Sequence, residues 1–231
     1  MKCESKRFVG FWHYGVVLTY LSVVSAVIGI CFSIGGNKRS LPEVGVICLL
    51  LSGFCDGFDG AVAKTRKNRT KQDAMFGERI DSLSDLIAFG VAPVMIGFGM
   101  HINRWYYMAV YILCALVRLA YFDVTEEIRV QEEGNARRKY YEGLPVTNAG
   151  FIVPCFFMAA TCFHSEAIQA SIMLSGYALI AFAFVLRFKM PKFTVKKLIF
   201  VMAGTVLILG TILILKINGV LPHVILRSWV K

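Results

Sequence analysis

Charged residues are scarce in this sequence, at 17% of 231 residues, whereas hydrophobic residues make up 57%. A typical soluble domain carries about 25% charged residues. This composition therefore excludes an ordinary soluble domain and points to a membrane. Acidic residues are rarer than basic ones, with 15 Asp and Glu against 25 Lys and Arg. Each acidic residue within an apolar stretch therefore needs an explanation.

Metal-binding patterns built on cysteine or histidine are also absent. None of the seven cysteines forms a CxxC pair, and the four histidines are scattered along the chain. Neither a zinc site nor a disulfide framework is indicated. Most of the cysteines lie within or beside apolar segments, where we expect them to serve as small packing residues.

Long apolar runs are abundant. Each is about 20 residues long, which is enough for a helix to cross a bilayer. The sequence predicts an all-α, polytopic transmembrane bundle of about seven spans that forms a single integral membrane domain over residues 1–231. No cleavage-site pattern follows the first span, so we expect it to be retained. The predicted spans are Gly15–Gly36, Leu41–Ala63, Ile80–Met100, Trp105–Phe122, Pro145–Phe163, Ala167–Leu186 and Leu198–Leu215.

The distribution of basic residues predicts the orientation. If the spans alternate through the bilayer from an internal N-terminus, nineteen of the 25 Lys and Arg residues lie on the inner side. This positive-inside bias predicts a cytoplasmic N-terminus and an external C-terminus in the cell membrane. The net charge of +10 is then explained by topology and by attraction to lipid head groups, so no nucleic-acid partner is expected.

Four aspartates interrupt the apolar pattern. Asp56 and Asp59 are spaced i, i+3, and Asp81 and Asp85 are spaced i, i+4, so each pair shares one helix face. The second and third spans are antiparallel neighbours, and both pairs lie near their cytoplasmic ends. One aspartate at mid-membrane costs roughly 2.5 to 3.5 kcal/mol, and four like charges also repel each other. We therefore expect a compensating cation.

The ligand chemistry indicates which cation. Carboxylates without a nearby His or Cys favour Mg²⁺ or Mn²⁺, and four carboxylates are enough for two divalent cations. Two other interpretations remain open. Single aspartates could cap helices or pair with Lys64, Arg66 or Arg79, and intramembrane carboxylates also mark cation transporters. Clustering at one face disfavours a transporter, because a transport path spreads its carboxylates across the bilayer.

The stretch from Cys55 to Pro93 resembles the signature of the CDP-alcohol phosphotransferases, D-x2-D-G-x2-A-R-x8-G-x3-D-x3-D. Lys64 stands where the signature has arginine, and the spacer from Thr65 to Phe76 has twelve residues instead of eight. The matching residues are Asp56, Asp59, Gly60, Ala63, Lys64, Gly77, Asp81 and Asp85.

Within that family, three segments resemble those of bacterial and archaeal phosphatidylserine synthases: Asp81–Pro93, Arg118–Phe122 and Glu142–Gly150. The resemblance implies a six-helix catalytic core with an extra C-terminal helix. It implies transfer of a phosphatidyl group from CDP-diacylglycerol to L-serine, giving phosphatidylserine and CMP. It also implies a homodimer. The active site is expected to face the cytoplasm because the long polar links lie on that side of the predicted topology.

The resemblance further implies residue roles. Asp56, Asp59, Asp81 and Asp85 would bind metal, and Asp85 would also act as the general base. The residues implied in binding the CDP-lipid are Gly60, Ala63, Lys64, Thr70, Gly77 and, in the first span, Thr19.

The acceptor site is predicted from the chemistry of serine. A zwitterion needs a cation for its carboxylate and an acidic group for its ammonium, and Arg118 and Glu142 lie at the cytoplasmic boundary. The alternative is an acceptor that carries a phosphate, such as glycerol 3-phosphate or an inositol phosphate. The basic run Arg137, Arg138 and Lys139 would suit it.

Overall fold

The structure, a computed structural model, describes residues 16–35, 40–64, 70–133 and 140–191, together with four isolated helical positions at 204, 207, 210 and 211. The helices are α1 (Val17–Ile34), α2 (Pro42–Lys64), α3 (Lys71–Asp85), a π-helix (Leu86–Val91), α4 (Ala92–Gly99), α5 (Trp105–Glu133), a 3₁₀ turn (Val146–Asn148), α6 (Ala149–Thr161) and α7 (Glu166–Val185). Two three-residue strands, β1 (Tyr140–Glu142) and β2 (Lys189–Pro191), form one antiparallel ladder.

The prediction of a helical, polytopic membrane protein is confirmed. Four helical stretches are long and apolar enough to cross a membrane: Val17–Ile34, Gln72–Gly99, Trp105–Glu132 and Glu166–Val185. The apolar stretch Val146–Thr161 is shorter, and α2 covers the predicted second span. The protein is therefore an integral membrane protein. The predicted span Leu198–Leu215 lies largely outside the described residues, so the count of seven stays a prediction.

Two helices extend beyond their predicted spans on the polar side. α3 begins at Lys71 rather than Ile80, because Thr70 and Asp73 form a capping box that satisfies two backbone N–H groups. α5 continues past Phe122 to Glu133. Helix-forming polar residues follow Phe122, and Arg129 pairs with Glu126. Hydropathy marks the apolar part of a helix, and these turns lie outside that part.

The third span changes from an α-helix to a π-helix directly after Asp85. The π-helix runs from Leu86 to Val91, and Pro93 follows it. Proline has no N–H to donate to the carbonyl four residues earlier, which is that of Phe89. The hydroxyl of Tyr111 donates to this carbonyl instead, at 3.1 Å, and the hydroxyl of Tyr177 donates to the Pro93 carbonyl at 2.7 Å. Buried hydroxyls from α5 and α7 thus fix the segment that follows Asp85.

A polar seam joins α1 to α2. Ser22 Oγ donates to the Ser52 carbonyl at 3.3 Å, and Ser52 Oγ donates back to the Ser22 carbonyl at 2.8 Å. One turn away, Ser25 Oγ donates to the Cys48 carbonyl at 2.9 Å. Small side chains let two membrane helices approach closely enough for such bonds. The seam fixes the position of α1 beside the acidic part of α2.

The ladder connects two cytoplasmic links of the predicted topology. Tyr141 pairs with Met190, and Gly143 N–H donates to the Phe188 carbonyl at 2.6 Å. Gly143 has φ +80°, a conformation in which glycine avoids the steric penalty of a Cβ. The start of α6 is thereby attached to the end of α7, which positions Glu142.

Candidate active site

Three acidic residues converge where α2 and α3 meet. Carboxylate oxygens of Asp56, Asp81 and Asp85, one from each residue, all lie within 4.8 Å of one another. Asp56 lies about 12 Å along the axis from the end of α2, and Asp81 lies about 15 Å from the start of α3, at 1.5 Å per residue. The two helix ends flank the same link, so the depths match. The structure thus brings three of the four predicted ligands together.

Asp59 lies beside this group and is 9% exposed. Its carboxyl group interacts at short range with that of Asp81. Thr19 Oγ1 on α1 donates a 3.0 Å hydrogen bond to Asp59 Oδ2. Thr19 was predicted to bind the CDP-lipid, and the structure places its hydroxyl against a predicted metal ligand. All four aspartates therefore belong to one acidic cluster, which we call the acidic quartet.

The acidic quartet fits a divalent cation. Its ligand atoms are carboxylate oxygens, which hard cations prefer. Among the described residues, Asp81 Oδ1 is buried and has no hydrogen-bond donor. A buried carboxylate oxygen without a donor carries a substantial desolvation cost. A bound cation would offset this cost and the mutual repulsion of the carboxylates, so Mg²⁺ or Mn²⁺ suits the residues present.

Sequence reasoning missed Asp123. This α5 residue accepts a 2.7 Å hydrogen bond from Ser82, which directly follows Asp81 in the chain. It also pairs with Arg79 at 3.3 Å, and Arg79 reaches Glu127 at 3.1 Å. The local sequence gives only a weak signal, because an acidic residue after an apolar span resembles an ordinary helix end. The contact depends on how α5 packs against α3.

Arg118 is 5% exposed, which excludes a side chain that merely extends to the lipid surface. Its Nε donates to the Leu144 carbonyl at 2.9 Å, and one terminal nitrogen lies 3.5 Å from the Gly143 carbonyl. The guanidinium therefore holds the turn that follows Glu142. Sequence reasoning expected Arg118 to bind the acceptor, and the structure adds this contact with the main chain.

Arg118 and Glu142 line the same cavity, which has a volume of about 230 Å³. Its lining includes two further polar residues that sequence reasoning missed, and its other lining residues are apolar. Tyr121 donates to Glu142 Oε2 at 3.0 Å, and the Arg187 guanidinium lies 5.1 Å from the centroid of the Tyr121 ring. Both acidic and cationic groups thus border one small space, which we call the α5–α7 cavity. Tyr121 contacts a residue of each sign.

The residues predicted to bind the CDP-lipid are only partly described. Thr70 is exposed and caps α3, where its Oγ1 accepts from the Asp73 N–H at 3.1 Å. Gly77 lies on α3, between that cap and Asp81. Three further residues, Gly60, Ala63 and Lys64, lie in the last turns of α2, and their surroundings are outside the described part. Contacts of this group with a CDP-lipid stay predictions.

Two other expectations fall outside the described residues. The basic run Arg137, Arg138 and Lys139 lies between α5 and β1, in the undescribed segment 134–139. The spacer residues 65–69 between α2 and Thr70 are likewise not described. A pocket for a phosphate-bearing acceptor built on that basic run therefore remains an alternative.

Comparison with known proteins identifies relatives of this chain. The chain is 39% identical over 131 residues to the CDP-diacylglycerol--serine O-phosphatidyltransferase of Saccharomyces cerevisiae, covering 55% of this chain and 44% of that protein. It is 30% identical over 176 residues to the archaetidylserine synthase of Methanothermobacter thermautotrophicus, covering 74% and 68%. A third relative, from Mycobacterium leprae, carries the same name as the yeast protein and is 26% identical over 146 residues.

The chain spans less than half the length of the yeast relative and 45% of the Mycobacterium leprae relative. The family assignment does not depend on them. The family model of the CDP-alcohol phosphatidyltransferases matches residues 12–227, which include the acidic quartet and the α5–α7 cavity. The chain belongs to the CDP-alcohol phosphatidyltransferase family.

Proposed function

We propose that this protein transfers the phosphatidyl group of CDP-diacylglycerol to the hydroxyl of L-serine, giving phosphatidylserine and CMP. The observation that carries the proposal is the convergence of Asp56, Asp81 and Asp85 within 4.8 Å, in a chain of the CDP-alcohol phosphatidyltransferase family. Serine as the acceptor is supported by one relative whose name gives serine as a substrate and by another named for a serine-containing lipid.

In this proposal, Asp56, Asp59, Asp81 and Asp85 hold two divalent cations, Mg²⁺ or Mn²⁺. The bound cations would neutralise the pyrophosphate and stabilise the CMP leaving group. Two pairs from two helices suit this task, because each pair lies on one face of a rigid element. The hydrogen bond from Thr19 restricts Asp59 to one orientation.

Asp85 would also act as the general base. It would take the proton from the serine hydroxyl as that oxygen forms its bond to the lipid-bearing phosphorus. The bond between this phosphorus and the oxygen bridging it to CMP would break, and CMP would leave with that oxygen. Asp85 directly precedes the π-helix, whose Phe89 carbonyl is held by Tyr111. These contacts would keep the Asp85 backbone fixed during the reaction.

The CDP-lipid would be bound between α2 and the start of α3. Gly60, Ala63 and Gly77 would leave space for the nucleotide, and Lys64 would contact phosphate as a point charge, since lysine lacks the bidentate fork of arginine. Thr70, at the N-cap of α3, and Thr19, beside Asp59, complete the proposed set. The family resemblance supports these roles.

Serine would occupy the α5–α7 cavity. Glu142 supplies the acidic group for its ammonium, and Arg118 and Arg187 supply the cationic side for its carboxylate. Tyr121 contacts both Glu142 and Arg187, so one side chain links the acidic group of the cavity to a cationic one. Glu142 would repel the phosphate of an anionic acceptor and so weaken its binding. The cavity therefore favours serine over glycerol 3-phosphate or an inositol phosphate.

We also propose a single domain over residues 1–231 in the cytoplasmic membrane, with the N-terminus and the active site facing the cytoplasm. The positive-inside distribution supports this orientation. In this orientation the α2–α3 link, beside the acidic quartet, lies on the cytoplasmic side. The ladder, beside the α5–α7 cavity, lies on the same side. A homodimer is proposed from the family resemblance.

One assay tests the proposal. Purified full-length protein is incubated with CDP-diacylglycerol and Mn²⁺ or Mg²⁺, and CMP release is measured after adding serine, glycerol 3-phosphate or inositol phosphate separately. Serine should give the fastest release, and the lipid product should be phosphatidylserine. Faster release with a phosphate-bearing acceptor would overturn the assignment of serine. No release with any acceptor would overturn the reaction itself.

A further inference from the structure

We infer that Asp123 on α5 is a positioning residue that orients the metal-binding face of α3. The inference rests on the proposed metal site, because it concerns how Asp81 and Asp85 are aimed at Asp56. It adds a residue from a third helix, outside the signature stretch Cys55–Pro93.

Both oxygens of the Asp123 carboxylate are engaged by α3. Oδ1 accepts a 2.7 Å hydrogen bond from Ser82 Oγ, and Oδ2 accepts from Arg79 at 3.3 Å. The Asp123 side chain is 22% exposed, whereas that of Arg79 is 57% exposed. Both oxygens accept hydrogen bonds from α3, so Asp123 joins α5 to α3 and does not act as a metal ligand itself. Its part in metal binding is therefore indirect.

The contacts lie on a distinct face of α3. Arg79 and Ser82 are spaced i, i+3 and share the face toward α5, whereas Asp81 and Asp85 share another face, toward α2. Successive residues of a helix are about 100° apart, so Ser82 and Asp81 point in different directions. The bonds to Asp123 thus act on the face of α3 that does not carry the metal ligands, and they restrain the rotation of α3 about its own axis.

Rotation matters because a metal site tolerates little displacement of its ligands. A side-chain oxygen about 5 Å from the helix axis moves by about 2 Å when the helix turns by about 20°. That displacement is comparable to the length of a metal–oxygen bond, which is about 2.0 to 2.1 Å for Mg²⁺. α3 packs against α1 and continues into the π-helix, which packs against α5; the bonds to Asp123 add a side-chain restraint on the turn of α3 that carries Asp81.

The positive charge of Arg79 has a role in the network that joins Asp123 to α3. Asp123 interacts electrostatically with Asp81, and an unbalanced negative charge there would add to the repulsion within the acidic quartet. Arg79 lies between Asp123 and Glu127, with one guanidinium nitrogen bonded to each. The arginine offsets the added charge, and Glu127 forms the outer, more exposed end of the network.

The experiment measures Mn²⁺ binding directly, by electron paramagnetic resonance of free Mn²⁺, on full-length protein in detergent. The variants are Asp123→Ala, which removes both bonds, Asp123→Asn, which keeps an acceptor for Ser82, and Ser82→Ala. Glu127→Gln is the matched control, because it alters only the outer end of the network. Thermal unfolding of each variant reports folding separately.

We expect Asp123→Ala to weaken Mn²⁺ binding at least fivefold, Ser82→Ala to weaken it by a smaller factor, and Glu127→Gln to leave it unchanged. Asp123→Asn should lie between wild type and Asp123→Ala. Wild-type Mn²⁺ affinity in both Asp123 variants would overturn the inference. Should Asp123→Ala fail to fold, Asp123→Asn and Ser82→Ala decide in its place. If the wild-type protein binds no Mn²⁺, the proposed metal site itself fails, which is a separate result.

Discussion

Thr19 on α1 and Asp59 on α2 are joined by a 3.0 Å hydrogen bond between Thr19 Oγ1 and Asp59 Oδ2. Thr19 is 4% exposed, so water cannot readily replace its hydroxyl. The bond makes α1 part of the candidate active site, although α1 contributes no charge to it. Three helices, α1, α2 and α3, therefore set the positions of the acidic quartet.

Replacing Thr19 with Val should lower kcat/KM for the CDP-lipid about tenfold or more. The variant keeps the shape of the side chain but removes a hydrogen bond to a charged group, which contributes roughly 1.5 to 3 kcal/mol. CMP release at varied CDP-diacylglycerol concentration measures the effect.

Two controls accompany Thr19→Val. Thr19→Ser keeps the hydroxyl and should retain most of the activity. Ser22→Ala weakens the nearby seam between α1 and α2 without touching Asp59, so it should leave kcat/KM close to that of the wild type. Equal losses in Thr19→Val and Ser22→Ala would indicate that helix packing, rather than the bond to Asp59, matters.

Replacing Arg118 with Ala should raise the KM for serine far more than the KM for the CDP-lipid. The loss would remove a cationic group from the α5–α7 cavity and release the carbonyls of Gly143 and Leu144. Steady-state kinetics with each substrate varied in turn measures the difference. Equal changes in both KM values would count against an acceptor role.

Tyr121→Phe tests the same cavity with a smaller change. It removes the 3.0 Å hydrogen bond to Glu142 but keeps the ring beneath Arg187. The KM for serine should rise several-fold, in line with the loss of a hydrogen bond to a carboxylate. Arg187→Gln should raise it as well, whereas Arg104→Gln, which removes an exposed charge directly before α5 and outside the cavity lining, should not. An unchanged serine KM in both Tyr121→Phe and Arg187→Gln would contradict the placement of serine.

Gly143→Ala should destabilise the protein by about 1 to 2 kcal/mol or more. Gly143 has φ +80°, which costs an alanine roughly that amount, and a Cβ there would lie 2.7 Å from the Leu186 carbonyl oxygen. The midpoint of thermal unfolding in detergent should fall. Gly204→Ala is the control, because a Cβ at Gly204 meets nothing within 4 Å among the described residues; similar midpoints for the two variants would contradict the account of the turn.

The acidic quartet was predictable because it depends on local rules. Helix periodicity places Asp56 on the same face as Asp59, and Asp81 on the same face as Asp85. The two pairs lie at similar depths because each is a similar number of residues from the link between α2 and α3. The cap at Thr70 also had a local signal, since Asp73 follows it at the spacing of a capping box. Sequence reasoning assigned Thr70 to the CDP-lipid and did not use that signal.

The residues that sequence reasoning missed depend on packing between distant elements. Asp123 meets Ser82 across 41 residues of chain, and Arg187 meets Tyr121 only because α7 packs against α5. Neither contact follows from periodicity or spacing. The ladder between β1 and β2 was missed for the same reason, because three-residue strands carry no usable alternation of apolar and polar residues.

The most direct test of the account is CMP release from CDP-diacylglycerol and serine by protein that has been stripped of metal and then titrated with Mn²⁺. Stripped wild-type protein should be inactive and should recover on titration. Asp85→Asn should stay at least about a hundredfold below the wild type, since a general base typically contributes that much or more. Asp56→Asn and Asp81→Asn should also stay far below the wild type, because each removes a ligand of the catalytic cations. Full activity without metal, or near-normal activity in any of these three folded variants, would contradict the claim that α2 and α3 jointly hold the catalytic cations.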